Sequence, residues 1–310
     1  MTRTDIVFDS AGVSCSGWHF PGDGDRVERR PVVVMGHGFG GTKDSGLEPF
    51  AQRLSQAGLD VLAFDYRGFG ASEGLPRQTV SVVDQIGDFE SAIAAAKRLP
   101  GVDPSRIVLW GSSMSGGHVL RVAAGRDDIA AVIAMTPLTS GAAVSRAAVA
   151  HRDLGSALKW TAIGLKSRVD VARGRRPTMM PLVAHPGEPG GLTLDGAYES
   201  YTALAGPTWR NEVDSAVGLQ IASIRTATAA RQLRCPALFQ IADFDRYVPA
   251  DSVARTAGLA RALVHHYPCD HFDVWPGHDW FDKAAADQVA FLGRVLSISS
   301  SPDPPKSPRP

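Results

Sequence analysis

The stretch Leu109-Trp110-Gly111-Ser112-Ser113-Met114-Ser115-Gly116-Gly117 decides how this chain is read. The apolar run from Ile107 to Trp110 suits a strand buried on both faces, as in the middle of a parallel sheet. After the stretch, His118, Val119, Val122 and Ala123 fall at helical spacing. A strand and a helix joined this tightly cross at close range, so the residues at the crossing must be small. Gly111 and Ser115 hold the two flanking positions of a G-x-S-x-G nucleophile elbow, with serine where the second glycine is usual. Ser113 then sits at the tip of the turn with its hydroxyl raised above the sheet. The bland alternative is a Ser/Gly-rich turn with no chemistry.

A nucleophilic serine needs a base, and the base needs an acid to orient it. The apolar run Ala237 to Ile241 leads into Ala242-Asp243-Phe244-Asp245-Arg246-Tyr247-Val248-Pro249. Asp243 and Asp245 are both candidates; Asp245 is preferred for its D-x-x-V-P turn. One strand later, His265-His266-Tyr267-Pro268-Cys269-Asp270-His271 places His271 in the following loop. The order Ser113, Asp245, His271 is one of the known chain orders of a serine–acid–histidine triad. His278 is the rival base, but Pro276-Gly277 reads as a turn into the last helix. Asp270 and Asp273 read as loop-forming groups, and His118 as a packed histidine on the elbow helix.

An earlier glycine cluster, Gly36-His37-Gly38-Phe39-Gly40-Gly41, also follows a buried strand, Val32 to Met35. Taken alone it satisfies a dinucleotide-binding G-x-G-x-x-G, with Asp65 closing the next strand as the ribose acid. That reading leaves the serine elbow and the late histidine unexplained. Acyl transfer instead requires two backbone N–H groups aimed at a developing oxyanion. With an elbow serine, one belongs to the next residue, Met114, and the other to a loop after an earlier strand, here Phe39. His37 is expected to hold that loop by hydrogen bonds.

Further out, Asp5 to Phe8 and Val13 to Phe20 read as a strand pair, and Leu47 to Ala57 as a helix ending at Gly58. Val61 to Phe64 reads as a strand, Val80 to Leu99 as a long helix, and Ile129 to Met135 as a strand. Val264 to Tyr267 is the last strand, before a helix over about residues 281–296. Strand–helix–strand repeats of this length imply an α/β fold with a mostly parallel sheet flanked by helices. Residues 1–137 and 229–296 form the expected core. The rhythm breaks over 138–228, an insertion of roughly 90 residues and too long for an ordinary connection. The Ser/Pro-rich tail, 297–310, is expected to be disordered.

The composition fits this reading. The 310 residues carry 32 Lys plus Arg against 32 Asp plus Glu, which argues against a nucleic-acid binder. No apolar run is long enough to span a membrane, and the N-terminus lacks the apolar core of a secretory signal, so a cytoplasmic location is expected. Cys15, Cys235 and Cys269 make neither a disulfide framework nor a zinc pattern, and His265 and His266 lack partners at ligand spacing. No metal and no cofactor are expected.

With these residues in place the chain resembles the α/β-hydrolase superfamily. His37-Gly-Phe-Gly-Gly-Thr-Lys-Asp44 and Asp65-Tyr-Arg-Gly-Phe-Gly-Ala-Ser-Glu-Gly74 look most like its dienelactone-hydrolase-like and X-Pro dipeptidyl-peptidase-like branch. The resemblance covers roughly residues 5–137 and 230–296. It implies a helical cap formed by the insertion, and structural bracing by Asp65, Arg67 and Ser72. Trp160, Met179, Met180, Tyr198 and Trp209 are candidates to line an acyl pocket, with packing of the insertion against the sheet as the alternative. Arg173, Arg175 and Arg176 are candidates to meet an anionic group, with a solvated charged face as the alternative. The expected activity is cleavage of a carboxylic ester, thioester or lactone through an acyl-enzyme on Ser113. An amide or peptide hydrolase on the same residues is the first alternative, and a catalytically silent binding protein the second.

Overall fold

In the computed structural model, which describes residues 3–24, 29–150 and 154–297, the chain opens with an antiparallel pair, β1 (Thr4–Ser10) and β2 (Val13–Phe20). Ala11 and Gly12 join them, both at positive φ (52° and 80°), which matches the right-handed twist of the paired strands. Then follow β3 (Arg30–Gly36), α1 (Leu47–Gln56), β4 (Asp60–Phe64), α2 (Val82–Ala96), β5 (Val102–Ser112), α3 (Ser113–Ala123) and β6 (Ile129–Met135). The helix read over Val80 to Leu99 is shorter at both ends, and Ser81 caps it by accepting the Asp84 N–H. The core closes with β9 (Ala237–Ala242), α9 (Ala250–Ala260), β10 (Leu263–Tyr267) and α10 (Phe281–Val295).

Between β6 and β9 lie α4 (Gly141–Ala150), α5 (Leu154–Ala172), β7 (Met179–Met180), α6 (Ala197–Leu204), β8 (Val213–Asp214), α7 (Val217–Ser223) and α8 (Ala227–Arg231). This inserted segment is mainly helical. Its strands β7 and β8 pair only with each other, as a two-residue ribbon apart from the main sheet. Most of the tail, residues 298–310, lies outside the described residues.

The main sheet has the strand order β1-β2-β4-β3-β5-β6-β9-β10. From β4 to β10 every pairing is parallel, and β1 and β2 add an antiparallel edge. Val32 to Met35, Val61 to Phe64 and Ile107 to Trp110 are wholly buried, which explains their continuous apolar runs. Helix α1 packs with α10 and α2 with α3 in the layers that flank the sheet. This is the α/β-hydrolase fold.

The register aligns the strand ends. Gly36 is paired with Phe64 and with Gly111, Ser112 with Met135, Met135 with Gln240, and Ala242 with Tyr267. The loops after β3, β5, β9 and β10 therefore leave the sheet along one carboxyl edge, where open α/β sheets bind ligands. Among the described residues no helix is long and apolar enough to cross a membrane.

Candidate active site

Strand β5 runs to Ser112 and helix α3 begins at Ser113, so the turn between them is a single residue. Ser113 makes it at φ 51°, in the left-handed region that a side chain enters at a cost of about 1–2 kcal/mol. The crossing is as tight as the small residues imply. A Cβ on Gly111 would lie 2.4 Å from the Ser115 carbonyl oxygen, and one on Gly116 would lie 2.6 Å from Pro137 Cβ. Ser115 fits where a second glycine is usual because its hydroxyl is wholly buried and accepts a 3.0 Å hydrogen bond from Tyr66 Oη.

The loop after β3 lies against this turn. A Cβ on Gly38 would lie 3.0 Å from Ser113 Cβ, so Gly38 lets the two backbones approach. His37 is fully buried, with Nε2 2.6 Å from the Ser45 carbonyl and its ring stacked on Trp275 at 5.0 Å. Burial pushes its pKa down to about 4, so it stays neutral and Nε2 donates to that carbonyl. The inserted segment supplies two further braces. Tyr201 Oη on α6 donates to the Phe39 carbonyl at 2.5 Å, and Leu182 fills the space a Cβ on Gly40 would need.

At the other end of the sheet edge, His271 Nδ1 lies 2.6 Å from Asp245 Oδ2, with both side chains nearly inaccessible. Asp245 Oδ1 accepts the Tyr247 and Val248 N–H groups at 2.8 and 2.7 Å, which fixes the carboxylate plane. Burial by itself lowers the His271 pKa, but the Asp245 charge and hydrogen bond, with Asp270 behind them, carry it above its ordinary value. Asp270 accepts the His271 and Arg246 N–H groups and pairs with the Arg246 side chain, so it clamps the loop. Asp273 accepts the Asp270 N–H.

The rival candidates are engaged elsewhere. Asp243 is bonded to His266 Nδ1 at 2.6 Å on the exposed side of the β9–β10 edge, and His278 faces Asp273 at 3.6 Å. His118 is buried against Gln85, and burial, reinforced by Arg121, pushes its pKa down to about 3. Asp65, the ribose acid of a dinucleotide reading, is buried in an ion pair with Lys43 and accepts the Lys43 and Ala71 N–H groups. Arg67 pairs with Asp88, and Ser72 bridges the Asp65 carbonyl and the Ser16 N–H.

Among the inserted residues singled out from the sequence, Trp209 stacks on Tyr201 at 5.4 Å and so lies behind the Phe39 loop. Met179 and Met180 form the short ribbon with Asp214 and Val213. Met180, Tyr198 and Trp209 pack against the main core, and Trp160 is half-buried on α5. Arg175 pairs with Asp170, and Arg173 and Arg176 are exposed. The sequence reading missed Tyr201. A tyrosine in an eight-residue helix, far along the chain from Phe39, carries no local signal of the contact.

A family model described as "Serine aminopeptidase, S33" matches residues 27–269. The chain belongs to this α/β-hydrolase family. It is 35% identical over 297 residues to the quorum-quenching protein AidA of Acinetobacter baumannii, covering 95% of each chain. It is 31% identical over 153 residues to the thiohydrolase aneE of Aspergillus aculeatus, covering about half of each. Among solved structures, the α/β-hydrolase GrgF from Penicillium superposes with a TM-score of 0.77 at 24% identity, over 96% of this chain and 100% of that one, a likeness of fold.

Proposed function

We propose that the protein is a serine hydrolase that cleaves a carboxylic ester, thioester or lactone through an acyl-enzyme on Ser113. His271 donates from Nδ1 to Asp245, which leaves Nε2 to take the Ser113 proton as Oγ attacks the carbonyl carbon. The Phe39 and Met114 N–H groups hold the oxyanion of the tetrahedral intermediate. Collapse expels the leaving group, protonated by His271, and water activated by the same imidazole then releases the acyl group. The residues between β6 and β9 form the cap over this site.

The observation that carries the reading is the left-handed backbone at Ser113. A strained serine persists where its neighbours over-determine it, and here the crossing of β5 with α3 does so. Oxygen and sulfur esters are favoured over amides by the thiohydrolase relative. The aminopeptidase description of the family keeps amide cleavage as the second reading. Labelling with a fluorophosphonate probe tests the mechanism. Wild type should label, and Ser113→Ala and His271→Ala should not. Labelling of Ser113→Ala, or none of wild type, overturns it. Faster turnover of aminoacyl amides than of matched esters would favour the second reading.

A further inference from the structure

Helix α5 carries an apolar stripe on its outward face in addition to the apolar residues it packs inward. Leu158, Ala162, Leu165, Val169 and Ala172 fall within an arc of about 80°. All five are exposed, and Leu158, Leu165 and Val169 are 64%, 51% and 46% accessible. The packed face is the opposite one, where Trp160, Ile163 and Val171 are half-buried and Gly164 and Ser167 are buried. A Cβ on Gly164 would lie 2.8 Å from the Ser215 carbonyl, and the buried Ser167 hydroxyl donates to Asp214 at 2.6 Å and accepts the Thr178 N–H.

Cations line the stripe on both sides. By helical geometry Lys159, Lys166 and Arg173 lie along one flank and Arg168 along the other. The following turn adds Arg175 and Arg176. The sole acid between residues 158 and 176 is Asp170, and it is already paired with Lys166 and Arg175. This surface is strongly basic although the whole chain balances 32 cations with 32 anions.

We propose that the outer face of α5 is a docking surface for an anionic lipid bilayer. The apolar stripe lies in the interface, and the flanking lysines and arginines reach the headgroup phosphates. Charge selects the occupant. A second copy seated stripe to stripe would set cations against cations whether the helices ran parallel or antiparallel. A bilayer carrying phosphatidylglycerol supplies both the apolar layer and the opposite charge. No residue of this surface belongs to the proposed catalytic set, so the inference stands independently of the proposed chemistry.

Co-sedimentation of the full chain with vesicles tests it. Wild type should pellet with phosphatidylcholine vesicles containing about one-third phosphatidylglycerol, remain in solution with pure phosphatidylcholine, and be released by added salt. Leu165→Glu should weaken binding by about tenfold or more, through loss of apolar burial and added repulsion. The surface charge variant Lys159→Gln/Arg168→Gln should weaken it by a similar factor while leaving the stripe intact. Both variants alter exposed side chains, and an unchanged circular dichroism spectrum in each ties the loss to the surface. Failure of wild type to pellet with the anionic vesicles overturns the proposal. So does equal binding by the variants, or a dimer in solution that Leu165→Glu dissociates without any vesicle binding.

Discussion

Tyr201→Phe is the most direct probe of how the inserted segment bears on the chemistry. The change removes one oxygen atom and keeps the ring contacts with Trp209, Phe272 and His37. Lost with it is a 2.5 Å hydrogen bond to the Phe39 carbonyl between two buried groups. A buried acceptor that loses its donor costs about 1–3 kcal/mol, or a fall of a few degrees in Tm for a chain of this size. The bond also anchors the Phe39 backbone, whose N–H is the proposed oxyanion donor. Removing such a donor outright costs about 10²–10³ in kcat. Loosening one should cost about tenfold, near 1.4 kcal/mol of transition-state stabilisation, with KM little changed. Initial rates on a p-nitrophenyl ester, with kcat and KM resolved, provide the assay beside a thermal melt. A lower Tm with unchanged kcat would refute the reasoning and leave Tyr201 a packing residue. A rise confined to KM would place it in the substrate pocket instead.

Three further outcomes are expected. The acid limb of kcat/KM should lie above the ordinary histidine value of 6.5, because Asp245 raises the His271 pKa and, in the proposed mechanism, only neutral His271 accepts the serine proton; Asp245→Asn should move that limb down and cut kcat by up to about 10⁴. His37 and His118 have folded pKa values below their unfolded ones, so their contribution to stability is present above pH 6.5 and lost as pH falls toward about 4 and about 3. Urea titrations at pH 7 and pH 5 should show a loss of about 2 kcal/mol from each, and His118→Gln should flatten that dependence. Gly111→Ala drives a methyl to 2.4 Å from the Ser115 carbonyl, and backbone must shift. It should cost about 1–3 kcal/mol by thermal melt and slow fluorophosphonate labelling, since the displaced turn carries Ser113.

Much of the scaffold was legible because parallel strands are buried on both faces and so leave continuous apolar runs. Val32 to Met35, Val61 to Phe64 and Ile107 to Trp110 are such runs, and each is a strand. Asp243 and Asp245 were harder to separate, since both follow β9 within three residues and carry the same group. Their orientations differ. Asp243 points to the exposed His266, and Asp245 turns inward, where the Tyr247 and Val248 amides hold it toward His271. Helix α5 marks the limit of pattern reading. Periodicity reports which face of a helix is apolar, and packing reports which face is buried. Here apolar residues occur on both faces: Trp160, Ile163 and Val171 lie on the packed side with Gly164 and Ser167, while Leu158, Leu165 and Val169 face outward.

The same contrast divides the inserted segment into two parts with different mechanical properties. Leu182, Val183, Tyr201, Leu204, Val213 and Val217 are buried in one continuous cluster with the sheet core. Glycines bring this part close to the β3 loop. A Cβ on Gly206 would strike Asp44, one on Gly191 would lie 3.0 Å from the Phe39 ring, and Leu182 sits over Gly40. Lifting that seam would expose six apolar side chains at about 1.5–3 kcal/mol each, a cost comparable to the stability of a whole domain. The part that carries Tyr201 is therefore framework for the proposed oxyanion loop and not a hinged cover. Helix α5 packs with Gly164 and Ser167 against Asp214 and Ser215, keeps Trp160, Ile163 and Val171 half-buried, and turns Leu158 and Leu165 outward. Opening motions of the inserted segment on the functional timescale are therefore expected in that outer layer, where less buried apolar surface is lost on separation.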